Sequence, residues 1–176
     1  SQEAVLSEFD EKLKGNGINL ISPRHETSAA HMAGAYARVT NRLGVCMASN
    51  GPGVANILPG LVVEQAEGNR VLGIMYPDRQ GTYQCFDQVA TIKQFAKSSE
   101  AVPSFDRIPE MMRRALRKCF EGRPGVVHID IPENIMNTKV KCDIAFWEPH
   151  QYRMIELPKA SDYQIERTAQ LLTSAN

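Results

Sequence analysis

The sequence has no excess of charge of either sign and no long apolar run. Lys and Arg together number 20 and Asp and Glu together number 20, among 176 residues. A balanced chain offers no electrostatic attraction for nucleic acid or an anionic membrane, so we expect neither as a partner. No apolar run approaches the length that crosses a bilayer, and nothing resembles a signal peptide. These absences favour a globular cytoplasmic protein.

Cysteine is also scarce, and its spacing excludes one kind of site. The four cysteines are widely separated and form no Cys-x-x-Cys pair: Cys46, Cys85, Cys119 and Cys142. This spacing predicts no zinc site and is typical of a reducing compartment.

What the sequence does contain is an alternation of short apolar runs and longer helical patterns, in a chain of a length that suits one domain. Helices are predicted over Thr27–Thr40 and Val54–Ala66, and a third ends before Gly122. The stretch from Met75 to Ser99 is the least regular. Because strands alternate with helices, we predict an α/β fold with a mostly parallel sheet and helices on both faces. The apolar runs place strands near Ile18–Ser22, Gly44–Ser49, Val71–Ile74 and Val126–Ile131.

Two motifs stand where a predicted strand gives way to a helix. They are Pro23-Arg24-His25-Glu26 and Asn50-Gly51-Pro52-Gly53. Ligands of parallel α/β sheets bind at the carboxyl ends of strands. A carboxylate at Glu26, beside a glycine-rich turn, can meet a flat heterocycle at that edge. From position alone, the simpler interpretation of Glu26 is a helix-start carboxylate that the helix dipole favours.

The chain changes character after Pro132. Residues 137–158 mix polar and apolar side chains without a period, which predicts a linker. Ser161 and Gln164 then form a capping-box pattern ahead of a helix. We expect residues 1–136 to form one domain, and residues 137–176 to be a linker and the first helix leading to a middle domain that the sequence lacks.

Five short pieces of the sequence occur in an order that characterises one enzyme family. A lone Gly-Pro-Gly is weak evidence, but five pieces in order on matching elements are strong evidence. The pieces are Arg24-His25-Glu26; His31-Met32-Ala33 with Gly34 and Tyr36-Ala37-Arg38; Asn50-Gly51-Pro52-Gly53 with Asn56; Gly81-Thr82 with Phe86; and Gly122-Arg123-Pro124-Gly125 running into His128-Ile129-Asp130-Ile131-Pro132. From roughly Ala4 to Pro132, the chain resembles the N-terminal, pyrimidine-binding domain of thiamine diphosphate enzymes of the acetolactate synthase type.

The resemblance implies a catalytic role for Glu26. In the family, the matching glutamate bonds N1′ of the aminopyrimidine ring, and N4′ of the imino tautomer takes the proton from thiazolium C2. The resulting C2 ylide attacks the carbonyl of a small 2-oxo acid, with thiamine diphosphate as the electron sink. The resemblance therefore implies this cofactor, this substrate class and an acid–base function for Glu26.

The resemblance also implies further site residues. The turn Asn50-Gly51-Pro52-Gly53 matches the family's turn against the pyrimidine, so we expect it to bind the cofactor together with Asn56. An ordinary strand-to-helix turn would contain the same glycines. Phe86 and Gln88 match the loop on the substrate side of the site. The family has Phe-Gln-Glu where this chain has Phe86-Asp87-Gln88, so the amide is displaced by one position.

One motif of the family is missing from the sequence. The family holds diphosphate and magnesium on a separate domain, through a Gly-Asp-Gly motif and a later Asn, and this sequence has no Gly-Asp-Gly. We therefore expect no metal ligand in this chain, Mg²⁺ on a domain absent from it, and no activity from the chain alone. The family's helix, strand and turn before Ala4 are also missing, so the fold is expected to be truncated at its amino end.

Three functions stay open at this level. The first is the pyrimidine-binding domain of an acetolactate synthase-like transferase or lyase. It would be a homodimer or homotetramer in which Thr27–Thr40 and the helix from Val54 pack across a two-fold interface. The second is the pyrimidine-binding subunit of a split 2-oxo acid decarboxylase, which the lead-in from Lys139 to Asn176 disfavours. The third is a non-catalytic oligomerising remnant, which Glu26 disfavours. The sequence leaves synthase, decarboxylase, carboligase and acetyltransferase chemistry open.

Overall fold

Helices and strands alternate along the chain. The computed structural model describes residues 10–77, 84–136, 140, 144–154 and 159–175. Gly81 and Thr82, which belong to the family resemblance, lie outside the described residues. Residues 10–15 are helical, and a 3₁₀ turn spans Phe105–Arg107. The other elements are α1 (Glu26–Thr40), β1 (Gly44–Ala48), α2 (Pro52–Glu67), β2 (Val71–Met75), α3 (Gln88–Lys93), β3 (Ser98–Ala101), α4 (Ile108–Phe120), β4 (Val126–Asp130), α5 (Glu133–Met136), α6 (Pro149–Tyr152) and α7 (Asp162–Ser174).

The four strands form one parallel sheet in the order β1-β2-β4-β3. Leu72 of β2 stands between Val45 of β1 and Val127 of β4 in the register. The predicted α/β fold and its parallel sheet are therefore confirmed. Every residue of β4 is buried, as expected for a strand covered on both faces.

The two faces of the sheet bury separate apolar cores because successive strand residues point to opposite sides. The first core joins α1, α2 and α3 to one face, and it includes Ala30, Val54, Ile57, Leu61, Cys46, Val71, Met75, Ile92 and Val126. The second joins α4 and α5 to the other face, and it includes Leu72, Met111, Ala115, Cys119, Val127, Ile129 and Ile135. Helices on both faces were predicted and are confirmed.

Small residues let α1 approach α2 and β1 closely. Ala30, Ala33, Gly34 and Ala37 are all buried. The carboxyl group of Glu64 occupies the space beside Gly34, where a Cβ would lie 1.7 Å from Glu64 Oε2. Buried Glu64 is paired with the ring of His31, whose Nδ1 lies 2.8 Å from Oε1, and it accepts a 2.5 Å hydrogen bond from Asn69. His31 is therefore a packing residue of the helix pair.

The strand predicted near Ile18–Ser22 is wrong. Residues 18–22 have no regular structure, and Ile18, Leu20 and Ile21 are exposed. An apolar run becomes a strand only when a neighbouring strand pairs with its backbone. Among the described residues, β1 pairs with β2 and not with this segment.

The stretch from Met75 to Ser99, the least regular by sequence, contains a helix and the start of a strand that the sequence did not predict. Met75 ends β2, α3 lies within the stretch, and Ser98 begins β3. Ser99 Oγ lies 2.7 Å from His128 Nδ1, and His128 Nε2 lies 3.0 Å from Asp130 Oδ1. These buried polar contacts tie β3 to β4, so the burial of β3 involves polar groups that apolar patterning does not detect.

Beyond β4, the predicted helix is confirmed as α7. Ser161 is its N-cap, and the reciprocal capping box with Gln164 is present. The residues of α7 are exposed along their whole length. The linker predicted over residues 137–158 includes α6 among its described residues. Within the described parts of the chain, no helix is long and apolar enough to span a membrane.

Candidate functional site

A pocket of about 200 Å³ opens where β1 ends and α1 begins. This is the carboxyl end of a parallel strand, the edge at which such sheets bind ligands. The residues of the first sequence motif, Pro23 to Glu26, line the pocket. The second motif begins at Asn50, directly after the lining residue Ser49. The pocket is lined by residues 22–26, Ala29 and residues 47–49.

Glu26 is fixed at the pocket by the way α1 begins. His25 is the N-cap of α1 in an extended conformation, and its Nδ1 accepts a 3.2 Å hydrogen bond from the backbone N–H of Thr27. This cap makes Glu26 the first residue of the helix, where the unpaired N–H groups and the helix dipole favour a carboxylate. The side chain of Glu26 is half-buried and lines the pocket. The helix-start interpretation and the site interpretation are therefore both compatible with its position.

The turn after β1 requires glycine at Gly51. Gly51 has φ 56° and ψ −111°, a conformation that residues with a side chain rarely adopt. A Cβ there would lie 2.7 Å from the Cα of Gln84. Pro52 then starts α2, as proline does at first helical positions. Asn50 accepts a 3.3 Å hydrogen bond from the Gly53 N–H through its backbone carbonyl.

Gly53 brings the start of α2 against Glu26. A Cβ on Gly53 would lie 2.5 Å from Ser49 Oγ and 3.6 Å from Glu26 Oε1. Glycine therefore leaves room for Ser49 and for the Glu26 carboxylate on the same side of the turn. The two motifs, separated in sequence, meet at this point.

Asn56 contacts Glu26 from the second turn of α2. Its Nδ2 donates a 3.2 Å hydrogen bond to Glu26 Oε2. The hydroxyl of Thr27, the next residue of α1, donates to the backbone carbonyl of Asn56. Among the described residues, no hydrogen bond reaches the other oxygen of Glu26, Oε1.

Phe86 and Gln88 do not belong to the pocket's described lining. Phe86 packs against the first core, and Gln88 is only 1% exposed at the start of α3. The amide nitrogen and oxygen of Gln88 have no hydrogen-bond partner among the described residues. Asp87 caps α3 by accepting a 2.8 Å hydrogen bond from the Ala90 N–H. A substrate-side role for Phe86 and Gln88 stays a prediction.

Motif matching assigned no function to four residues that line the pocket. Met47 and Ser49 come from the end of β1, and Arg24 and His25 precede Glu26. Strand-end position was a usable signal for Ser49, since it follows an apolar run directly. Arg24 was marked only as a member of the Arg24-His25-Glu26 motif, which gave it no role of its own.

Metal-binding groups do not converge at this pocket. In the ranges that the structure describes, no three His, Cys, Asp or Glu side chains are grouped so that they could hold a metal ion. The polar side chains of the pocket are instead the Glu26 carboxylate, the Arg24 guanidinium, the His25 imidazole and the hydroxyls of Ser22 and Ser49.

Comparison with known proteins agrees with this geometry. A sequence model of the family described as "Thiamine pyrophosphate enzyme, N-terminal TPP binding domain" matches residues 3–90. The acetolactate synthase of Mycobacterium bovis is 31% identical over 183 aligned residues, which cover 98% of this chain and 28% of that protein. The acetolactate synthase of Bacillus subtilis is 32% identical over 139 residues, covering 76% of this chain and 24% of that protein.

A third relative shows the same proportions. The catabolic acetolactate synthase of Raoultella terrigena is 29% identical over 139 residues, covering 76% of this chain and 25% of that protein. The chain thus spans about a quarter of the length of the curated relatives it matches. Together with the parallel sheet and the pocket at its edge, these matches show that the chain belongs to the family of N-terminal, thiamine pyrophosphate-binding domains found in acetolactate synthase-like enzymes.

Proposed function

We propose that this chain forms the aminopyrimidine half of a thiamine diphosphate site in an acetolactate synthase-like enzyme, with Glu26 as its acid–base residue. One observation carries the proposal. The Glu26 carboxylate lines the pocket, Asn56 holds one of its oxygens, and no described residue donates to the other. A carboxylate with one free oxygen in a pocket is poised to meet a ring nitrogen.

The pocket suits part of a cofactor better than a whole one. Its volume of about 200 Å³ is below the ~300–1,000 Å³ of pockets that enclose a complete ligand. The glycines at 51 and 53 let the turn pack against Gln84 and Ser49, which brings the start of α2 beside the Glu26 carboxylate. A different surface would then hold the thiazolium and diphosphate groups of the cofactor.

The chemistry divides between the cofactor and this chain. Bound thiamine diphosphate supplies an electron sink for carbon–carbon bond cleavage and formation at a 2-oxo acid carbonyl. Glu26 holds or moves a proton at the ring nitrogen that faces it. The Asn50–Gly53 turn orients the ring, and Asn56 acts at the same carboxylate.

The remaining parts of the site come from elsewhere. The described residues hold no metal-ligand cluster, so we place Mg²⁺ and the diphosphate on a separate diphosphate-binding domain. The relatives, about four times as long as the matched region, include proteins named as acetolactate synthase large subunits. We propose a cytoplasmic homodimer or homotetramer with a small 2-oxo acid as substrate, and residues 137–176 as the connection to a middle domain.

A binding experiment tests the cofactor assignment. The 176-residue chain is labelled with ¹⁵N and titrated with 4-amino-5-hydroxymethyl-2-methylpyrimidine, the ring that the pocket is proposed to hold. We expect amide shifts at residues 24–29 and 47–56. Thiamine diphosphate with Mg²⁺ should then bind more tightly when a diphosphate-binding domain is added in trans. Shifts confined to other surfaces, or absent at millimolar probe, would contradict the proposal.

A further inference from the structure

We propose that Asn56 is a positioning residue for Glu26: its side-chain amide holds one carboxylate oxygen and leaves the other for the ligand. This inference rests on the proposed function, because it concerns the same carboxylate. It assigns Asn56 an effect on the ligand that acts through Glu26, in place of the direct cofactor contact that the sequence motif predicts. The surrounding contacts decide between these two roles.

The first argument is the direction of the amide. Nδ2 of Asn56 donates to Glu26 Oε2 at 3.2 Å, across 30 positions of sequence. Glu26 lines the pocket, whereas Asn56 is not among the lining residues. Asn56 therefore contacts the carboxylate without being part of the pocket's lining.

The second argument is that α1 holds Asn56 in turn. The hydroxyl of Thr27 donates to the backbone carbonyl of Asn56. Thr27 and Glu26 are adjacent at the start of α1, so two consecutive residues of that helix contact one residue of α2. The Thr27 contact uses the backbone carbonyl of Asn56 and leaves its side-chain amide for Glu26.

The third argument is that stability alone does not account for the contact. Asn56 is exposed and Glu26 is half-buried. Exposed polar pairs contribute little to folding because water replaces the lost partner. A carboxylate on a glutamate side chain otherwise samples several rotamers, and fixing it in advance lowers the entropy lost when a ligand binds.

The fourth argument concerns the oxygen that Asn56 leaves free. Oε1 lies 3.6 Å from the position that a Cβ of Gly53 would occupy. Because residue 53 is glycine, no side chain at this position contacts Oε1. Holding Oε2 by Asn56 thus directs the uncovered oxygen to the place where a ring nitrogen could reach it.

A double-mutant cycle separates positioning from direct contact. The 176-residue chain is titrated with 4-amino-5-hydroxymethyl-2-methylpyrimidine in four forms: wild type, Asn56→Ala, Glu26→Ala and the double variant. We expect Asn56→Ala to weaken binding about tenfold when Glu26 is present, the scale of one hydrogen bond to a charged group. In the Glu26→Ala background, the same change should weaken binding less than about twofold.

Thr27→Val is the matched structural control. It removes another hydrogen bond between the same two helices and leaves the Asn56 amide intact. We expect an effect on probe affinity below about twofold. If Thr27→Val weakens binding as much as Asn56→Ala, Asn56 merely ties the helices together. An undiminished effect of Asn56→Ala in the Glu26→Ala background would instead mean that Asn56 touches the ligand itself; either result overturns the proposal.

A spectroscopic signature tests the contact independently of binding. The side-chain ¹H–¹⁵N resonances of Asn56 should shift when Glu26 is replaced by Ala, and those of Asn16, which donates to the Lys12 carbonyl, should not. An unmoved Asn56 resonance refutes the positioning contact. If the resonance moves but the wild-type chain binds no probe, the proposed function fails while the hold of Asn56 on Glu26 stands.

Discussion

The position of Glu26 depends on its neighbour in sequence and on one residue across the fold. His25 ends the extended segment and caps α1, so the next residue must start the helix. Asn56 then meets the carboxylate from α2. The capping role of His25 can be predicted from sequence as a helix-end histidine, but the contact with Asn56 depends on how α1 and α2 cross.

Replacing Glu26 by Gln tests its proposed chemistry in the complete enzyme. Glutamine keeps the shape and hydrogen-bonding capacity of the side chain but removes the ionisable group. Cofactor binding should weaken only modestly, because we place the magnesium and diphosphate contacts elsewhere. Exchange of the C2 proton of bound thiamine diphosphate should slow by roughly 10²–10⁴-fold, the scale for losing a positioned acid–base group. Deuterium exchange followed by acid quench and NMR measures this rate.

The control for this test is Glu67→Gln, an exposed glutamate of α2 that pairs with Arg38 outside the pocket. It should exchange at the wild-type rate. If Glu26→Gln does so too, Glu26 is only a helix-start carboxylate.

Two buried thiols make stability depend on alkaline pH. Burial raises the pKa of Cys46 from 9.0 to about 12, and the nearby Glu64 carboxylate adds to the shift. Burial likewise raises the pKa of Cys119 to about 12, against a smaller opposite effect from Lys97. The folded state keeps both protons while the unfolded chain loses them above pH 9. Each thiol's contribution is therefore complete below pH 9 and is lost as pH rises toward 12.

Urea denaturation of wild type and Cys46→Ala between pH 8 and pH 11 measures this effect. Above pH 9, the wild-type free energy of unfolding should fall more steeply than that of Cys46→Ala, by about 1.4 kcal/mol per pH unit. The alanine variant starts less stable because it lacks a buried side chain, but that offset is the same at every pH. If the free energies of unfolding of the two proteins change with pH in parallel, the ionisation of Cys46 is not linked to folding.

At the scale of elements, the crossing of α1 and α2 depends on Gly60. A Cβ there would lie 2.7 Å from the Cβ of Ala30 and 2.9 Å from the carbonyl oxygen of Thr27. Neither atom is the end of a flexible side chain, so Gly60→Ala must push the helices apart. We expect a loss of about 1–3 kcal/mol in the free energy of unfolding, measured in urea. Weaker pyrimidine-probe binding should accompany it, since Asn56 and Glu26 lie on the two helices that separate.

Gly15→Ala is the matched control. Gly15 ends the helical residues 10–15, and a Cβ there meets nothing within 4 Å. This change should be neutral or slightly stabilising because alanine favours the helix. Equal stability of Gly60→Ala and the wild type would show that the helix pair tolerates a wider spacing.

The sequence predicts some strands better than others. Strands that are buried by apolar side chains leave an apolar run in the sequence, whereas a strand that is held by polar contacts does not. Apolar runs marked β1, β2 and β4 to within one residue at their ends. The same kind of apolar run predicted a strand over Ile18–Ser22 that is not formed. An apolar pattern indicates hydrophobicity, but it does not show whether a neighbouring strand is present to pair with. β3 was missed for the opposite reason: Ser99 and Glu100 are accommodated by His128 and Arg114 rather than by apolar contacts.

The candidate site shows the same division. Strand-end position and glycine spacing predicted the turn after β1, because both are local properties of the chain. The strand expected before Glu26 is absent, so the sequence motif and not a strand end marked this residue. The separation of Phe86 and Gln88 from the pocket lining was not predictable from the sequence. It depends on where α3 packs, and the length of the segment before α3 does not determine that position. Asp87 has a local explanation as the cap of α3.

At the scale of the whole molecule, the outer faces of α1 and α2 are left uncovered by the part of the chain that the structure describes. Their exposed apolar residues include Met32, Tyr36 and Val39 on α1 and Val62 and Val63 on α2. The small residues predicted to pack across a two-fold interface are used inside the chain instead, between α1, α2 and β1. An interface on these helices, which stays a prediction, would therefore use the larger outward-facing side chains.

The segment after the sheet docks back on α4 through cation–aromatic stacking. The guanidinium of Arg113 lies 4.2 Å from the ring centroid of Trp147, and that of Arg153 lies 3.9 Å from the ring of Phe120. Each contact at an exposed site is worth about 0.5–1 kcal/mol, so one substitution should loosen the segment without unfolding the domain.

Trp147 is the single tryptophan of the chain, so its fluorescence reports on this docking alone. Arg113→Ala should raise the acrylamide quenching constant of Trp147 and shift its emission to the red, because a side chain now 48% exposed loses the group that covers it. The midpoint of urea unfolding, followed by circular dichroism, should change little. Arg117→Ala, an exposed arginine on the same helix, is the control and should leave the quenching unchanged. If acrylamide quenches Trp147 in Arg113→Ala only as strongly as in the wild type, this stack does not hold residues 144–154 to α4.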